Sequence, residues 1–244
     1  MYKLYNGDCL EVMDKLIEEG VKVDCIITDL PYGITARNKW DNIIPLDLMW
    51  KKLDNLVKEN GAVALFCSQP FTTKLINSNL NNFKYEWIWE KNNSTGFINA
   101  NRIPLKKHEN IAIFYKKQCT YNPQGLIPYN KVNKRGGIGL NYYDVNSNKY
   151  IQKYTNYPTQ ILKFSYDKER LHPTQKPVDL LEYLIKTYTN ENEIVLDFTM
   201  GSGSCGIASI NTNRKFIGIE LDENYFNIAK ERIENAINEN KINI

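Results

Sequence analysis

Val23-Asp24-Cys25-Ile26-Ile27-Thr28-Asp29-Leu30-Pro31-Tyr32 is the stretch on which the fold turns. Its first six residues are mostly apolar and rich in β-branched side chains, the pattern of a buried strand. Its last four are a carboxylate, a stiff turn and an exposed-looking aromatic ring. They would stand at the carboxyl edge of a sheet, where open α/β folds bind ligands. A hydrogen-bond acceptor, a rigid backbone and a ring together suit a planar group that carries an amino substituent, such as a nucleobase.

Outward from this strand, the chain alternates strand and helix at both ends. A short strand is expected at Lys3–Asn6, followed by an amphipathic helix over Cys9–Glu19 with Leu10, Met13, Leu16 and Ile17 on one face. Leu46–Glu59 reads as a helix stopped by Asn60-Gly61, and Ala62–Cys67 as a buried strand. Then come a helix over Phe71–Asn79 and strands over Phe83–Trp89 and Asn110–Tyr115. After a long irregular stretch the alternation resumes: helix Pro177–Tyr188, strand Glu193–Asp197, helix Ser204–Thr212, strand Phe216–Ile219 and helix Asn224–Asn238. Such alternation implies α/β architecture, a mostly parallel sheet covered by helices. The irregular stretch, Lys116 to Arg170, carries ten basic residues, three acidic ones and eight tyrosines. A solvated insertion accounts for it; so does a nucleic-acid surface, with cations for phosphates and aromatics for bases.

The 244 residues suffice for one substantial core. With 42% hydrophobic and 24% charged residues and a mean hydropathy of -0.49, the composition is that of a soluble globular protein. No apolar run approaches the roughly 20 residues of a spanning helix, and no secretion signal opens the sequence. The five cysteines are scattered and never in CxxC spacing, which points to a reducing cytosol rather than to disulfides or zinc. The two histidines, His108 and His172, lack ligand spacing around them, so no metal is expected. A net charge of +3 is weak support for nucleic-acid binding. Abundant Asn, Lys, Ile and Tyr suggest an AT-rich source genome.

A second motif runs Ile194-Val195-Leu196-Asp197-Phe198-Thr199-Met200-Gly201-Ser202-Gly203-Ser204. It is a strand, an acidic residue and a glycine turn that opens a helix, where free N–H groups and a close backbone approach favour a ligand. Glu220, at the end of the next strand, can take both hydroxyls of a ribose. Gly201, Gly203 and Gly206 also satisfy the GxGxxG pattern of NAD(P) oxidoreductases, and the spacing alone does not separate the cofactors. An NAD reading gives no role to Asp29-Leu30-Pro31-Tyr32 and leaves little chain for the rest of a dinucleotide fold. A tight turn with no ligand is the bland alternative, and the ligand reading is preferred to it. The third motif, His172-Pro173-Thr174-Gln175-Lys176-Pro177, precedes a helix. Its Thr, Gln and Lys could hold a carboxylate; by itself it reads as a helix-entry loop.

Together these three motifs resemble the amino-group DNA methyltransferases of the β class. Asp29-Leu30-Pro31-Tyr32 resembles their catalytic DPPY motif. Asp197 to Gly203 resembles their S-adenosylmethionine (SAM) motif, DPFMGSG, and His172 to Pro177 their HPTQKP segment. The catalytic motif comes first and the SAM motif last. That order implies a Rossmann-like SAM-dependent methyltransferase sheet with circularly permuted motifs and a target-recognition insertion. The implied organisation is 1–116 for the catalytic part, 117–168 for target recognition and 169–244 for the SAM-binding part. The same order favours DNA over protein or ribosomal RNA as substrate. Leu30 departs from the motif harmlessly, since the family uses the backbone carbonyl there. Phe198-Thr199 stands in place of Pro-Phe, and loss of that proline is expected to loosen the SAM loop.

The resemblance implies direct methyl transfer from SAM to an exocyclic amino nitrogen. Asp29 and the Leu30 carbonyl accept its N–H bonds, Pro31 stiffens the turn, and Tyr32 stacks on a base flipped from the duplex. No Pro-Cys pair occurs, which argues against a cytosine-C5 mechanism. An aspartate in the first motif position favours adenine N6; cytosine N4 is the alternative, and a DNA-binding protein with a vestigial fold is a non-enzymatic one. Cofactor contacts fall to Asp8, Cys9, His172, Thr174, Gln175, Lys176, Asp197, Phe198, Gly201, Ser202, Gly203, Ser204, Glu220 and Leu221. Asp8 reads equally as a helix N-cap. DNA contacts fall to Arg37, Lys39, Trp40, Arg102, Lys134 and Arg135. Expected partners are double-stranded DNA, a second copy of the chain and a cognate restriction endonuclease, with no membrane, in the cytoplasm of a bacterium or encoded by its phage.

Overall fold

The first strand, β1, spans Tyr2–Asn6 and is followed by α1 (Cys9–Glu18) and β2 (Val23–Asp29). These are elements of a computed structural model that describes residues 1–33, 43–134, 149–167 and 175–242. Next come α2 (Leu46–Leu56), β3 (Val57–Cys67), α3 (Phe71–Ser78), β4 (Phe83–Thr95) and β5 (Lys106–Phe114). β6 (Ile127–Lys134), β7 (Lys149–Thr155) and β8 (Ile161–Lys163) occupy the stretch without sequence periodicity. The chain closes with α4 (Val178–Tyr188), β9 (Ile194–Asp197), α5 (Ser204–Asn211), β10 (Lys215–Glu220) and α6 (Glu223–Ile242). No described helix is long and apolar enough to cross a membrane.

Two units are distinguished, Met1–Asn122 with Gln160–Ile244, and Pro123–Thr159. The smaller is built on the antiparallel pair β6–β7. The larger holds an eight-stranded sheet in the order β1-β10-β9-β2-β3-β5-β4-β8. Neighbours from β1 to β3 are parallel, and β5 runs against both of its neighbours. Residues 117–122 and 160–167, placed by sequence in the insertion, join the larger unit: β8 pairs with β4, and Asn122 Nδ2 donates to the carbonyls of Lys186 and Thr189 at the end of α4.

Alternation along β2 explains the layers. Cys25 and Ile27 face a core shared with α4, α5 and α6, while Ile26 faces one shared with α1, α2 and α3. Burying such side chains contributes about 2 kcal/mol each. β2 continues through α2 to one side of the sheet and β9 through α5 to the other. Their shared carboxyl edge is therefore a topological switch point, where α/β sheets open a crevice.

The expected helix over Leu46–Glu59 ends three residues early. Val57 turns to extended backbone (φ -74°, ψ 138°) and pairs with Val23. Its branched side chain suits a strand better than a last helical turn. Gly61, read from sequence as part of a helix stop, instead lies inside β3 at a register irregularity. A Cβ there would sit 2.8 Å from the Asp24 carbonyl and 2.6 Å from Val57 Cγ2. β4 and β5 likewise extend well beyond their expected spans. Their far ends, Glu90 to Thr95 and Lys106 to His108, pair only with each other and with β8. The polar residues there mask strand periodicity.

Gly61→Ala is expected to lower the urea midpoint at constant m-value, by about 1–3 kcal/mol in stability. An unchanged midpoint would contradict the close approach of β3 to Asp24.

Candidate active site

Parallel pairing brings the ends of β2 and β9 together, through Cys25 opposite Val195 and Ile26 opposite Leu196. Side chains then lock the two ends. Thr28 Oγ1 donates to Asp197 Oδ1 at 2.9 Å and accepts the Phe198 N–H at 3.1 Å. Thr199 Oγ1 donates to the Asp29 carbonyl at 2.9 Å, and its N–H reaches Asp197 Oδ1 at 3.2 Å. These bonds supply the restraint that a proline at 198 would have given, so the Phe198-Thr199 departure fastens the loop where loosening was expected.

A cavity of about 410 Å3 opens at this edge, within the range of small-ligand sites. Asp29, Leu30, Pro31 and Tyr32 line it, as do Gln175, Lys176, Asp197 and Phe198. Gly201, Ser202, Ser204, Glu220 and Leu221 line it as well, with Asp8 and Cys9. The Leu30 side chain is buried in the core beneath. Phe198 too is packed in that core. Asp8 and Cys9 arrive through β1, whose Asn6 pairs with Glu220. Asp8 caps α1, its Oδ1 accepting from the Leu10 and Glu11 N–H groups. Burial first, and Asp8 second, push the Cys9 thiol up to about 12, which leaves no thiolate at neutral pH.

Gly201, at φ +53°, adopts the left-handed turn its position asks for. Glu220 fastens it: Oε2 accepts the Gly201 N–H at 2.8 Å and Oε1 the Asp222 N–H at 2.9 Å. Burial raises the Glu220 pKa, and those N–H groups oppose the rise. Gly203 does not line the cavity. A Cβ on it would lie 2.9 Å from the Cα and Cβ of Ala229, so its role is to seat α6. Gly206 is similar, with Ile233 Cδ1 2.3 Å from its absent Cβ. The apparent GxGxxG pattern is thus a turn plus helix packing. Arg232, on α6, donates to the Ser202 carbonyl at 2.5 Å and to Ser202 Oγ at 3.1 Å. Gln175 Oε1 accepts from Ser202 Oγ at 3.4 Å.

Around Asp29 the charges are dense. Tyr32 Oη donates to Asp29 Oδ1 at 2.7 Å, and its ring lies 5.4 Å from that of Phe71. Lys176 Nζ bonds Asp29 Oδ2 and stands 3.5 Å from Glu109 Oε2. The ammonium expected from sequence at a carboxylate ligand is therefore directed to Asp29, at the end of β2. Glu109 Oε1 accepts from Lys91 Nζ at 2.9 Å. Burial raises the Asp29 pKa and Lys176 opposes it. Burial works against the Lys176 charge, but Asp29 and Glu109 outweigh it and hold its pKa up. Glu109 is held below the usual carboxylate range: burial acts upward, and Lys176 and Lys91 overcome it.

Arg102 is exposed in the β4–β5 connection, outside the cavity lining. Lys134 ends β6, its side chain lying outside the described residues. Arg37, Lys39, Trp40, Arg135, His172 and Thr174 also lie outside them. Thr28, Thr199, Lys91, Glu109 and Arg232 carry the site yet were not singled out by sequence. Only Thr28, a hydroxyl closing an apolar run before Asp29, offered a local signal.

With this geometry in hand, the comparison with known families is decisive: the N6/N4 DNA methylase model matches residues 23–231. The chain belongs to this family. N6/N4 DNA methylases transfer methyl groups to exocyclic amino nitrogens and are SAM-dependent. Type II methyltransferase M.HpaI of Haemophilus parainfluenzae is 29% identical, over 92% of this chain and 72% of that protein. The DNA adenine methyltransferase YhdJ of Escherichia coli K12 is 26% identical, over 96% of this chain and 83% of its own. The crystal structure of the M1.HpyAVI–SAM complex aligns with a TM-score of 0.66 at 31% identity, covering 95% of this chain and 100% of that one. The PvuII cytosine-N4 DNA methyltransferase, at 15% identity and a TM-score of 0.65, shares the fold. In this chain Asp29 to Tyr32 precede Asp197 to Gly201 in sequence, and the two stretches converge at one sheet edge.

Asp197 generates a pH prediction. Burial pushes its carboxyl up to about 7 from 3.8, against the Thr199 N–H and the Thr28 hydroxyl. Between those two values the folded chain keeps a proton that the unfolded chain has lost, so this residue's contribution to stability falls as pH rises through the window. Asp197→Asn lacks that titration. Urea unfolding at a series of pH values should show the wild type losing roughly 2–4 kcal/mol relative to the variant between pH 4 and 7. A difference independent of pH would contradict the buried acid.

Proposed function

We propose that this chain methylates adenine N6 at specific sites in double-stranded DNA. The observation that carries the reading is Asp29, a carboxylate at the cavity's edge on a strand end locked to the cofactor loop. An aryl amino group is a poor nucleophile, because its lone pair is delocalised into the ring. Asp29 and the Leu30 carbonyl each accept one of its N–H bonds, which draws the nitrogen toward tetrahedral character. The carboxylate also stabilises the positive charge that builds on nitrogen. SAM, when bound, supplies the methyl group.

The chain's residues fit that cofactor. Glu220, held by two backbone N–H groups, presents its remaining lone pairs to ribose hydroxyls. The left-handed turn at Gly201 keeps side-chain bulk away from the ligand. Asp8 and the Cys9 N–H face the adenine end, and Gln175 with Ser202 the amino-acid end. Rigid alignment of nitrogen and donor supplies a further share of the rate, and the Thr28–Asp197 and Thr199–Asp29 bonds provide that rigidity. Tyr32 offers a face to a flipped base. Target reading falls to the smaller unit, Pro123–Thr159: there Tyr129, Tyr150 and Tyr154 are exposed, and Lys131 lies over the Tyr129 ring at 5.8 Å.

Adenine is favoured by the aspartate in the first motif position, and the relative YhdJ is a DNA adenine methyltransferase. Incubation of the purified protein with labelled SAM and duplex DNA, followed by nucleoside analysis, should yield N6-methyladenine. N4-methylcytosine would overturn the base assignment. Asp29→Ala should lower transfer by about a thousandfold while SAM binding, followed by calorimetry, is retained. Near-normal turnover in that variant would refute the amino-group mechanism.

A further inference from the structure

Both oxygens of Asp29 are already engaged, Oδ1 by the Tyr32 hydroxyl and Oδ2 by the Lys176 ammonium. Each oxygen keeps a further lone pair, but an amino group that bonds Oδ2 beside the ammonium builds its positive charge next to a fixed cation, an arrangement relieved when Lys176 moves away. A displaced buried ammonium is costly without another anion to meet it. The structure holds that anion. Glu109 Oε2 is buried, 3.5 Å from Lys176 Nζ, and makes no hydrogen bond among the described residues. A buried acceptor without a hydrogen bond needs a reason, and this one faces a cation already shared between two carboxylates. The other oxygen of Glu109 is fixed by Lys91 at 2.9 Å, so the carboxylate cannot simply turn toward solvent. The side chains are 8% exposed for Lys176 and 12% for Glu109.

We propose that Lys176 is a two-position counter-ion, resting on Asp29 when the target site is empty and passing to Glu109 Oε2 when a base amino group enters. The inference rests on the methyltransferase reading of Asp29. The movement is short, from 3.5 Å to the roughly 2.8 Å of a charge-assisted hydrogen bond. It serves the reaction twice. It gives the amino N–H the undivided use of Asp29 Oδ2, and it withdraws a positive charge from the nitrogen on which positive charge develops. Glu109 is a positioning residue, acting through Lys176, and Lys91 holds Glu109 at its post. The direction of the pKa shifts agrees with this division: Glu109 is held ionised by two lysines, whereas Asp29 is the weaker acid of the two sharing Lys176.

The test is a double-mutant cycle on the full chain. Glu109→Gln removes the charge that draws Lys176 away; Glu109→Asp keeps the charge, and with it the fold, but retracts the oxygen. Each should lower kcat/KM for duplex DNA about tenfold and leave the Kd for SAM unchanged. On a Lys176→Met background, where no ammonium is left to move, Glu109→Gln should have no further effect on kcat/KM. The proposal fails if wild type methylates DNA and Glu109→Asp, folded and binding SAM, does so equally well. It fails too if the Glu109 and Lys176 effects simply multiply. Absence of DNA methylation by wild type would be a different outcome, a failure of the functional reading itself.

Discussion

The site depends on one constraint: β2 and β9, about 170 residues apart in the chain, must lie side by side and end at the same height. Four main-chain and side-chain links meet there, from Thr28 to Asp197, Phe198 to Thr28, Thr199 to Asp197 and Thr199 to the Asp29 carbonyl. They couple the strand that ends in Asp29 to the glycine loop that lines the cavity. A slip of one residue in either strand would exchange the two faces of its side chains. It would carry Cys25 and Ile27 out of one core and Asp29 away from the cavity. Hydrophobic burial under the sheet thus sets the position of the chemistry above it.

Much of this was legible in the sequence, because much of it is local. The apolar run before Asp29 and the helical spacing of Leu46, Met49, Trp50 and Leu53 report their own environment. So does the turn at Gly201, whose backbone angle only glycine adopts freely. The order of the motifs gave the family. What the sequence hid is pairwise. Glu109 stands on a strand running against its neighbours, near Lys176 in space but 67 residues away from it. Arg232 lies on the last helix and reaches back to Ser202. No periodicity marks such residues, since their partners are elsewhere. Gly203 and Gly206 were misleading for a related reason: a glycine that admits a helix and one that admits a ligand look alike until the contacts are known. Val57 to Asn60 were misread because helix and strand meet there without a loop.

The electrostatics of the edge follow from the function. Asp29, Asp197, Glu109 and Glu220 bring four carboxyl groups to one buried region, each of them with a displaced pKa. A protein selected only for stability would replace several of them with apolar residues. Each here has a distinct balance. Glu220 is tied to backbone N–H groups, Asp197 is tied to hydroxyl and backbone donors, and Glu109 sits between two lysines.

Asp29 differs from the others because its partners, a phenol and an ammonium, are side chains that can move without unfolding any strand. The carbonyl of Asp29 is fastened to Thr199 and so its backbone is not free to move with them. The result separates two requirements that usually conflict. The strand end is rigid, which alignment with a donor demands, while the carboxylate's hydrogen bonds are exchangeable, which capture of an amino group demands. A backbone N–H on Asp29 in place of Lys176 would satisfy the same oxygen but could not move aside for a substrate. A mobile cation with a second anion in reach meets both requirements, and Glu109 Oε2, buried, without a hydrogen bond and 3.5 Å from Lys176 Nζ, is the anion in reach.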